Sequence, residues 1–271
     1  MLITESTTNK FMQLWRIFNE CGLSPIDWWR IRRLPRYKKG KTSLWSHEFE
    51  FVDGPTFLVG LKDIYVEECY KFESDNDMPF IVDCGANIGL SVFYFKKIYP
   101  DAKVVAFEAD PHISKILTKN VKTAGLRGVE INNNAVFDSE EILLFRAEAG
   151  YSGRVAIGDE QGEFYHIKGA RLKNYLNQKV DFLKIDIEGA EGRVINDCVD
   201  KLINVDRIFL EYHSHYSESQ KLAEILEILR SSGFRYYIKE AYVPDAPFIS
   251  CPTLDGMDLQ LNIYAVRHAQ R

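Results

Sequence analysis

A chain of 271 residues, 46% apolar and 27% charged, has the length and composition of one large globular domain, alone or with an extension, and needs no disulfide or metal to bury a core. Its net charge of −5 argues against a protein that coats nucleic acid, because neutralising phosphates takes a basic surface. The cysteines (Cys21, Cys69, Cys84, Cys198 and Cys251) are scattered, odd in number and free of any C-x-x-C pair, so neither a disulfide framework nor a cysteine zinc site is suggested and a reducing setting is expected.

The opening MLITESTTNKF lacks the basic-then-apolar pattern of a signal peptide, and no apolar run is long enough to span a bilayer. The expectation is a soluble, cytoplasmic protein with, at most, peripheral contact at the inner face of a membrane. Residues 1–79 read as an extension of short helices and strands. Trp15–Ile17 and Trp28–Arg33 are predicted helical, broken at Pro25 and Pro35, and strands are predicted at Phe49–Val52 and Thr56–Val59 around an Asp53-Gly54-Pro55 turn. Between Trp28 and Ser46 stand seven basic residues and no acidic one. The seam with the main domain, residues 80–271, is placed at Asp77-Met78-Pro79.

From Phe80 strand and helix alternate. Strands are predicted at Phe80–Cys84, Val104–Phe107, Val129–Val136, Phe182–Ile187 and Arg207–Tyr212. Helices are predicted at Leu90–Ile98, at His112–Ala124, and at Ser219–Ser232 with Gly233 as its C-terminal cap. Leu259–Val266 alternates like a closing antiparallel strand. The fold class implied is α/β: a Rossmann-like, doubly wound, mostly parallel sheet with a terminal antiparallel strand.

The first strand runs into Asp83-Cys84-Gly85-Ala86-Asn87-Ile88-Gly89. Ligands of open parallel sheets bind at the carboxyl ends of the strands, near the reversal of strand order. Gly85 allows a tight turn, Gly89 a close helix–strand approach, and Asp83 a carboxylate for the amino group of an amino-acid-like ligand. A pyrophosphate binder needs G-x-G-x-x-G; here Asn87 takes the central position beside a carboxylate, so S-adenosylmethionine (SAM) is favoured over NAD. The plain alternative is an ordinary glycine turn. The second strand ends at Glu108, 25 residues after Asp83, where an acid accepts hydrogen bonds from both ribose hydroxyls, unless it only begins the next helix with Asp110 as cap. Asn133-Asn134-Ala135-Val136 offers amide and backbone groups to an adenine edge.

These segments resemble the FkbM-family methyltransferases, most specifically in Val180-Asp181-Phe182-Leu183-Lys184-Ile185-Asp186-Ile187-Glu188-Gly189-Ala190-Glu191, with Leu210-Glu211-Tyr212-His213 and Met257–Asn262 similar to the same family. The likeness covers roughly residues 60–267. It implies a Rossmann-like SAM-dependent fold and O-methyl transfer, commonly onto sugars of bacterial surface polysaccharides or natural products. By match to the first motif it makes Asp83, Gly85, Asn87 and Gly89 SAM contacts and Glu108 the ribose contact, with Ala86, Ala109, Asn134 and Ala135 beside them. Ala109 departs from the proline that members often carry.

Methylating a hydroxyl needs alignment and removal of its proton. Alternation places Lys184 and Asp186 on one strand face and Glu211 and His213 on a face of the neighbouring strand, with His215 beyond. Asp186 or His213 is the expected base. Lys184–Asp186 pairing within the sheet and a helix-start role for Glu188 and Glu191 are the plain alternatives. A hard cation such as Mg²⁺, if used, falls to Asp186, Glu188 and Glu211. Tyr175-x-x-x-Lys179 matches a dehydrogenase pair but precedes its strand, and is discounted. Rival functions are a nicotinamide-dependent sugar-nucleotide oxidoreductase and a non-catalytic SAM-binding regulator. The acceptor expected is a sugar, nucleotide sugar or lipid-linked glycan, and the basic stretch Trp28–Lys41 either meets an anionic partner or membrane surface or is a solvated face packed by its aromatics.

Overall fold

In the computed structural model, which describes residues 7–147, 153–155 and 163–267, the chain begins with helix α1 (Thr7–Glu20). MLITES, read above for a signal peptide, lies outside these residues. α1 is longer than the Trp15–Ile17 stretch that the sequence suggests, and is followed by Gly22 at φ 67°. Helix α2 (Pro25–Arg32) is started, not broken, by Pro25: Ser24 caps it by accepting the Asp27 N–H, and proline costs nothing in a first turn. Strands β1 (Gly40–Leu44) and β2 (His47–Phe51) form an antiparallel hairpin, and β1 lies in the basic stretch where no strand was expected.

Thr56–Val59 is helical, not extended. It belongs to α3 (Gly54–Leu61), where Asp53 caps the Thr56 N–H at 3.3 Å and Pro55 sits in the first turn. The Asp53-Gly54-Pro55 signal marks a helix start, and that capping overrides the β preference of Thr and Val. A wide helical turn at Lys62–Val66 follows.

The main sheet then builds outward from β3 (Phe80–Cys84). Helix α4 (Leu90–Ile98) leads to β4 (Lys103–Phe107), and α5 (Pro111–Thr123) to β5 (Val129–Asn132). The predicted strand Val129–Val136 is in fact two. Asn133 turns its amide into the Glu108 and Ala109 carbonyls at 2.8 and 3.0 Å, and β6 (Ala135–Phe137) departs into a second sheet. That sheet, in the order β6-β9-β7-β8, comprises β7 (Ile142–Ala147), β8 (Gly153–Val155) and β9 (Glu163–Arg171), none of them anticipated from sequence. The chain returns through β10 (Phe182–Ile185), α6 (Glu191–Asp197), β11 (Arg207–His215), α7 (Leu222–Ser231), β12 (Phe234–Tyr242) and β13 (Met257–Arg267). Gly233, at φ 85°, ends α7 as expected.

The seven strands run in the order β12-β13-β11-β10-β3-β4-β5, parallel from β5 to β11, with β13 antiparallel to both of its neighbours. This is the doubly wound α/β sheet with its antiparallel strand. The order reverses between β3 and β10, so a crevice is due beyond Cys84 and Ile185. One face is covered by α4, α5 and the segment before Pro79: Leu23, Phe49, Phe57 and Tyr65 share a core with Val92, Phe95 and Leu117. The other face holds Val82, Leu183 and Leu210 against α6 and α7 residues Val194, Ile195 and Ile225.

Candidate active site

The β3–α4 turn is closed by Gly85 and Ala86, whose N–H groups donate to the Phe107 carbonyl at 3.0 and 2.8 Å. Gly85 has φ 87°, and a Cβ there would lie 1.8 Å from the Asp186 carbonyl oxygen, so only glycine lets the loop pass over the end of β10. Asn87 is also left-handed, at φ 49°, and bonds its own Oδ1 to the Ile88 N–H. Gly89, at φ 101°, starts α4 against Leu117.

Glu108 grips this turn. Its Oε2 accepts the Asn87 N–H and its Oε1 the Asp110 N–H, both at 2.9 Å. Burial pushes its carboxyl up to about 7, against the pull of those two donors. Asp110 caps α5, as the sequence suggests.

Across the reversal point lies an acidic cluster with two buried cations. Lys184, 2% exposed in its side chain, contacts Asp186 at 3.1 Å and Asp83 at 3.4 Å and donates to the Gly85 carbonyl at 2.8 Å. Burial opposes its charge, but the two carboxylates outweigh that and hold its pKa above the usual lysine range. Asp83 is wholly buried; Ser91 donates to its Oδ2 at 2.6 Å, while its Oδ1 has no hydrogen bond. His213 donates from Nδ1 to Glu191 at 3.0 Å and turns Nε2 toward Glu188 at 3.5 Å and Asp186 at 3.9 Å. Burial disfavours the imidazolium, yet Glu188 and Glu191 raise its pKa well above the ordinary value, so His213 carries its proton at neutral pH. Glu191 also accepts the Ile187 and Gly189 N–H groups, and so fixes the loop on which Glu188 stands at φ 57°. Glu211 faces Gln260, and burial, reinforced by Asp186, lifts its carboxyl to about 8.

Two cavities meet here. One is lined by Gly85, Asn87, Glu108, Ala109, Asn134 and Ala135, with Asp186 and Glu188, and is walled by Phe145, Gly153 and Val155 of the second sheet. The other, more apolar, lies between the same loop and α3, lined by Ala86, Lys184, Asp186, Val52, Phe57 and Tyr70. Gly85, Asn87 and Asp186 border both.

Of the residues expected to touch a cofactor, Gly85, Ala86, Asn87, Glu108, Ala109, Asn134 and Ala135 reach these cavities. Asp83 and Gly89 line neither. The cation that Asp83 meets is Lys184, not an open cleft, so it holds the loop's underside. Of the catalytic candidates, Asp186 and Lys184 border the cavity, whereas His213 and Glu211 sit behind Asp186 and Glu188. The oxygen-only metal set expected from sequence does not assemble: the ligand atoms within 4.8 Å of one another belong to Asp186, Glu188 and His213. A set holding an imidazole suits Mg²⁺ less well than an all-oxygen one. Tyr175 packs on Phe107 and Lys179 pairs with Asp206, so the dehydrogenase-like pair is not assembled at the site. Ser91, Tyr70 and the wall residues Phe145, Gly153 and Val155 carried no local sequence signal.

The Methyltransferase FkbM domain family matches residues 83–236, more than half of the chain. Methyltransferase sdnD of Sordaria araneosa is 26% identical over 170 residues, 49% of this chain and 66% of that protein, just under two thirds of its length. Methyltransferase 1 of Beauveria bassiana is 24% identical over 199 residues, 64% of this chain and 79% of that protein. The AMB antimetabolite synthetase AmbE of Pseudomonas aeruginosa is 27% identical over 253 residues, 76% of this chain but 11% of that protein. Among solved structures, the methyltransferase FkbM of Methylobacillus flagellatus superposes with a TM-score of 0.45 at 17% identity, covering 71% of this chain and 45% of that one. With the family model matching residues 83–236, the chain belongs to the FkbM methyltransferase family.

Proposed function

We propose that the protein transfers a methyl group from SAM to a hydroxyl oxygen of a sugar in a glycan acceptor. The observation that carries this reading is the placement of Glu108 and of the Asp186–Glu188 carboxylates on either side of the Gly85 turn, at the point where strand order reverses. Glu108 uses one lone pair of each oxygen on the loop; the others face the cavity, where ribose hydroxyls donate. Gly85 and Asn87 would hold the amino-acid end through bare backbone, and Asn134 and Ala135, lining the same cavity, would hold the adenine. SAM, when bound, supplies an electrophilic methyl on a sulfonium.

The rest is the work of this chain's side chains. The acceptor hydroxyl is a poor nucleophile until its proton leaves. Asp186, about one quarter exposed and bordering both cavities, is placed to take that proton. The part of His213 is positioning: held by Glu191, it faces Glu188 and Asp186 and, together with Lys184, offsets the carboxylates of the cluster. Lys184 fixes the other oxygen of Asp186. Carboxylates around a cavity accept hydrogen bonds from sugar hydroxyls, which supports a sugar over an apolar amine.

Incubation of the full chain with methyl-labelled SAM and a panel of glycans and nucleotide sugars tests this. Label in an alkali-stable ether on sugar oxygen is expected, with Asp186→Asn retaining SAM binding while turnover falls about 10²–10⁴-fold. Label on nitrogen, or an Asp186→Asn variant of full activity, would refute it.

A further inference from the structure

We propose that the α1–α2–α3 face is a peripheral docking surface for an anionic phospholipid membrane. Three of the seven basic residues are neutralised: Arg30 by Asp27, Arg36 by Asp53, and Lys41 by Glu48. Among the described residues, no carboxylate pairs with Arg32, Arg33, Lys38 or Lys39. Arg32 and Arg33 lie instead over Trp28 and Trp29, 5.1 and 5.0 Å from the ring centroids.

Through these rings Arg32 and Arg33 adjoin apolar side chains that the fold leaves in solvent. Ile26 is 81% exposed and Trp29 51%, with Trp15 and Val59 similarly open. An open apolar groove that reaches Val59 is lined by Leu14 and Ile17 of α1, Trp28 and Arg32 of α2, and Leu58 and Val59 of α3. Aromatic rings beside unpaired cations match the two layers of a membrane interface, where rings lie at headgroup level and cations meet lipid phosphates. Charge complementarity selects this occupant in a protein whose net charge is −5, since a neutral protein partner leaves four cations unanswered. α3 also walls the apolar cavity through Phe57 and Gly60, so a chain seated this way holds that cavity one helix from the headgroups.

Vesicle sedimentation of the full chain tests the proposal, comparing neutral phosphatidylcholine with vesicles that also contain phosphatidylglycerol, across a salt series. Binding to the anionic vesicles, weakened by salt, is expected. Each cation near an anionic surface contributes about fivefold, so Arg32→Gln, Arg33→Gln, Lys38→Gln and Lys39→Gln together are expected to reduce binding by up to about 600-fold. Trp29→Ala, at an exposed position, is expected to weaken binding without changing its salt dependence. SAM affinity and circular dichroism of all variants stay as in wild type. Failure to sediment with anionic vesicles overturns the proposal, as does equal binding by wild type and the quadruple variant. A dimer that Trp29→Ala dissociates, with no vesicle binding, also overturns it and gives the face to a second copy of the chain.

Discussion

Replacing Glu108 with glutamine keeps its volume and removes its charge. The carboxylate answers two backbone N–H groups, from Asn87 and Asp110, at 2.9 Å each. A glutamine has one acceptor oxygen, so its amide nitrogen must face one of those donors, and one ribose hydroxyl loses its acceptor as well. Losing a hydrogen bond to a charged group costs about 1.5–3 kcal/mol, so SAM affinity is expected to fall about 10–100-fold by calorimetry. The pH dependence separates this from a general loosening of the loop. In the free protein burial raises Glu108 to about 7, so the carboxyl is largely protonated below that pH and one acceptor becomes a donor. Wild-type affinity is therefore expected to drop as pH falls from 8 to about 6, and binding near neutrality to release protons. Glu108→Gln shows neither beyond the ligand's own titration. Stability runs in the opposite sense. The folded pKa lies above the ordinary value of 4.5, so folding favours the protonated carboxyl, and that contribution is lost as pH rises from about 4.5 through 7. The shift corresponds to about 3 kcal/mol at pH 8, and Glu108→Gln is expected to remove this pH dependence of stability in the free protein. Equal SAM affinity of both proteins at every pH would refute the ribose role.

Lys184→Met removes a buried cation and leaves Asp83 facing no charge, so unfolding free energy by urea titration is expected to fall by about 3–5 kcal/mol; an unchanged midpoint would mean that the pair is dispensable. Gly85→Ala places a Cβ 1.8 Å from the Asp186 carbonyl, so SAM binding is expected to be lost even where the variant folds, and retained affinity would show that the turn moves freely.

What could be read in the sequence is what local chemistry controls. The Asp83–Gly89 turn announces itself because strand, glycine and helix follow within ten residues, and the long apolar helices α5 and α7 keep a clean period. The failures have physical causes. Thr56–Val59 carries β-favouring residues, but a cap three residues earlier decides its state. Val129–Val136 reads as one strand because nothing in the chain marks Asn133, whose amide bonds to carbonyls 24 and 25 residues away. β12 was missed because most of its residues are exposed and its side chains do not alternate cleanly. At the site, the positions of Asp186 and Glu108 were legible as strand ends. The protonated state of His213 was not, since it is set by Glu191, 22 residues distant, and by a loop strained at Glu188.

The charge balance of the cleft bears on which ligand it suits. Around the reversal point four carboxylates, Asp83, Asp186, Glu188 and Glu191, face two cations, Lys184 and His213. Buried like charges are costly, and the chain answers by holding two further acids partly protonated, Glu108 at about 7 and Glu211 at about 8. A pyrophosphate entering this cleft adds two negative charges and drives both acids further toward protonation, and among the described residues that line the cavities the one lysine, Lys184, is already bound on three sides. A ligand carrying a sulfonium and an ammonium does the reverse: it lowers the potential, favours the ionised form of Glu108 and prepares the acceptor for ribose. The same electrostatics that make the empty cleft costly to fold therefore favour the proposed cofactor over a nicotinamide dinucleotide. They also tie its binding to the release of protons from groups that the fold has kept above their ordinary range.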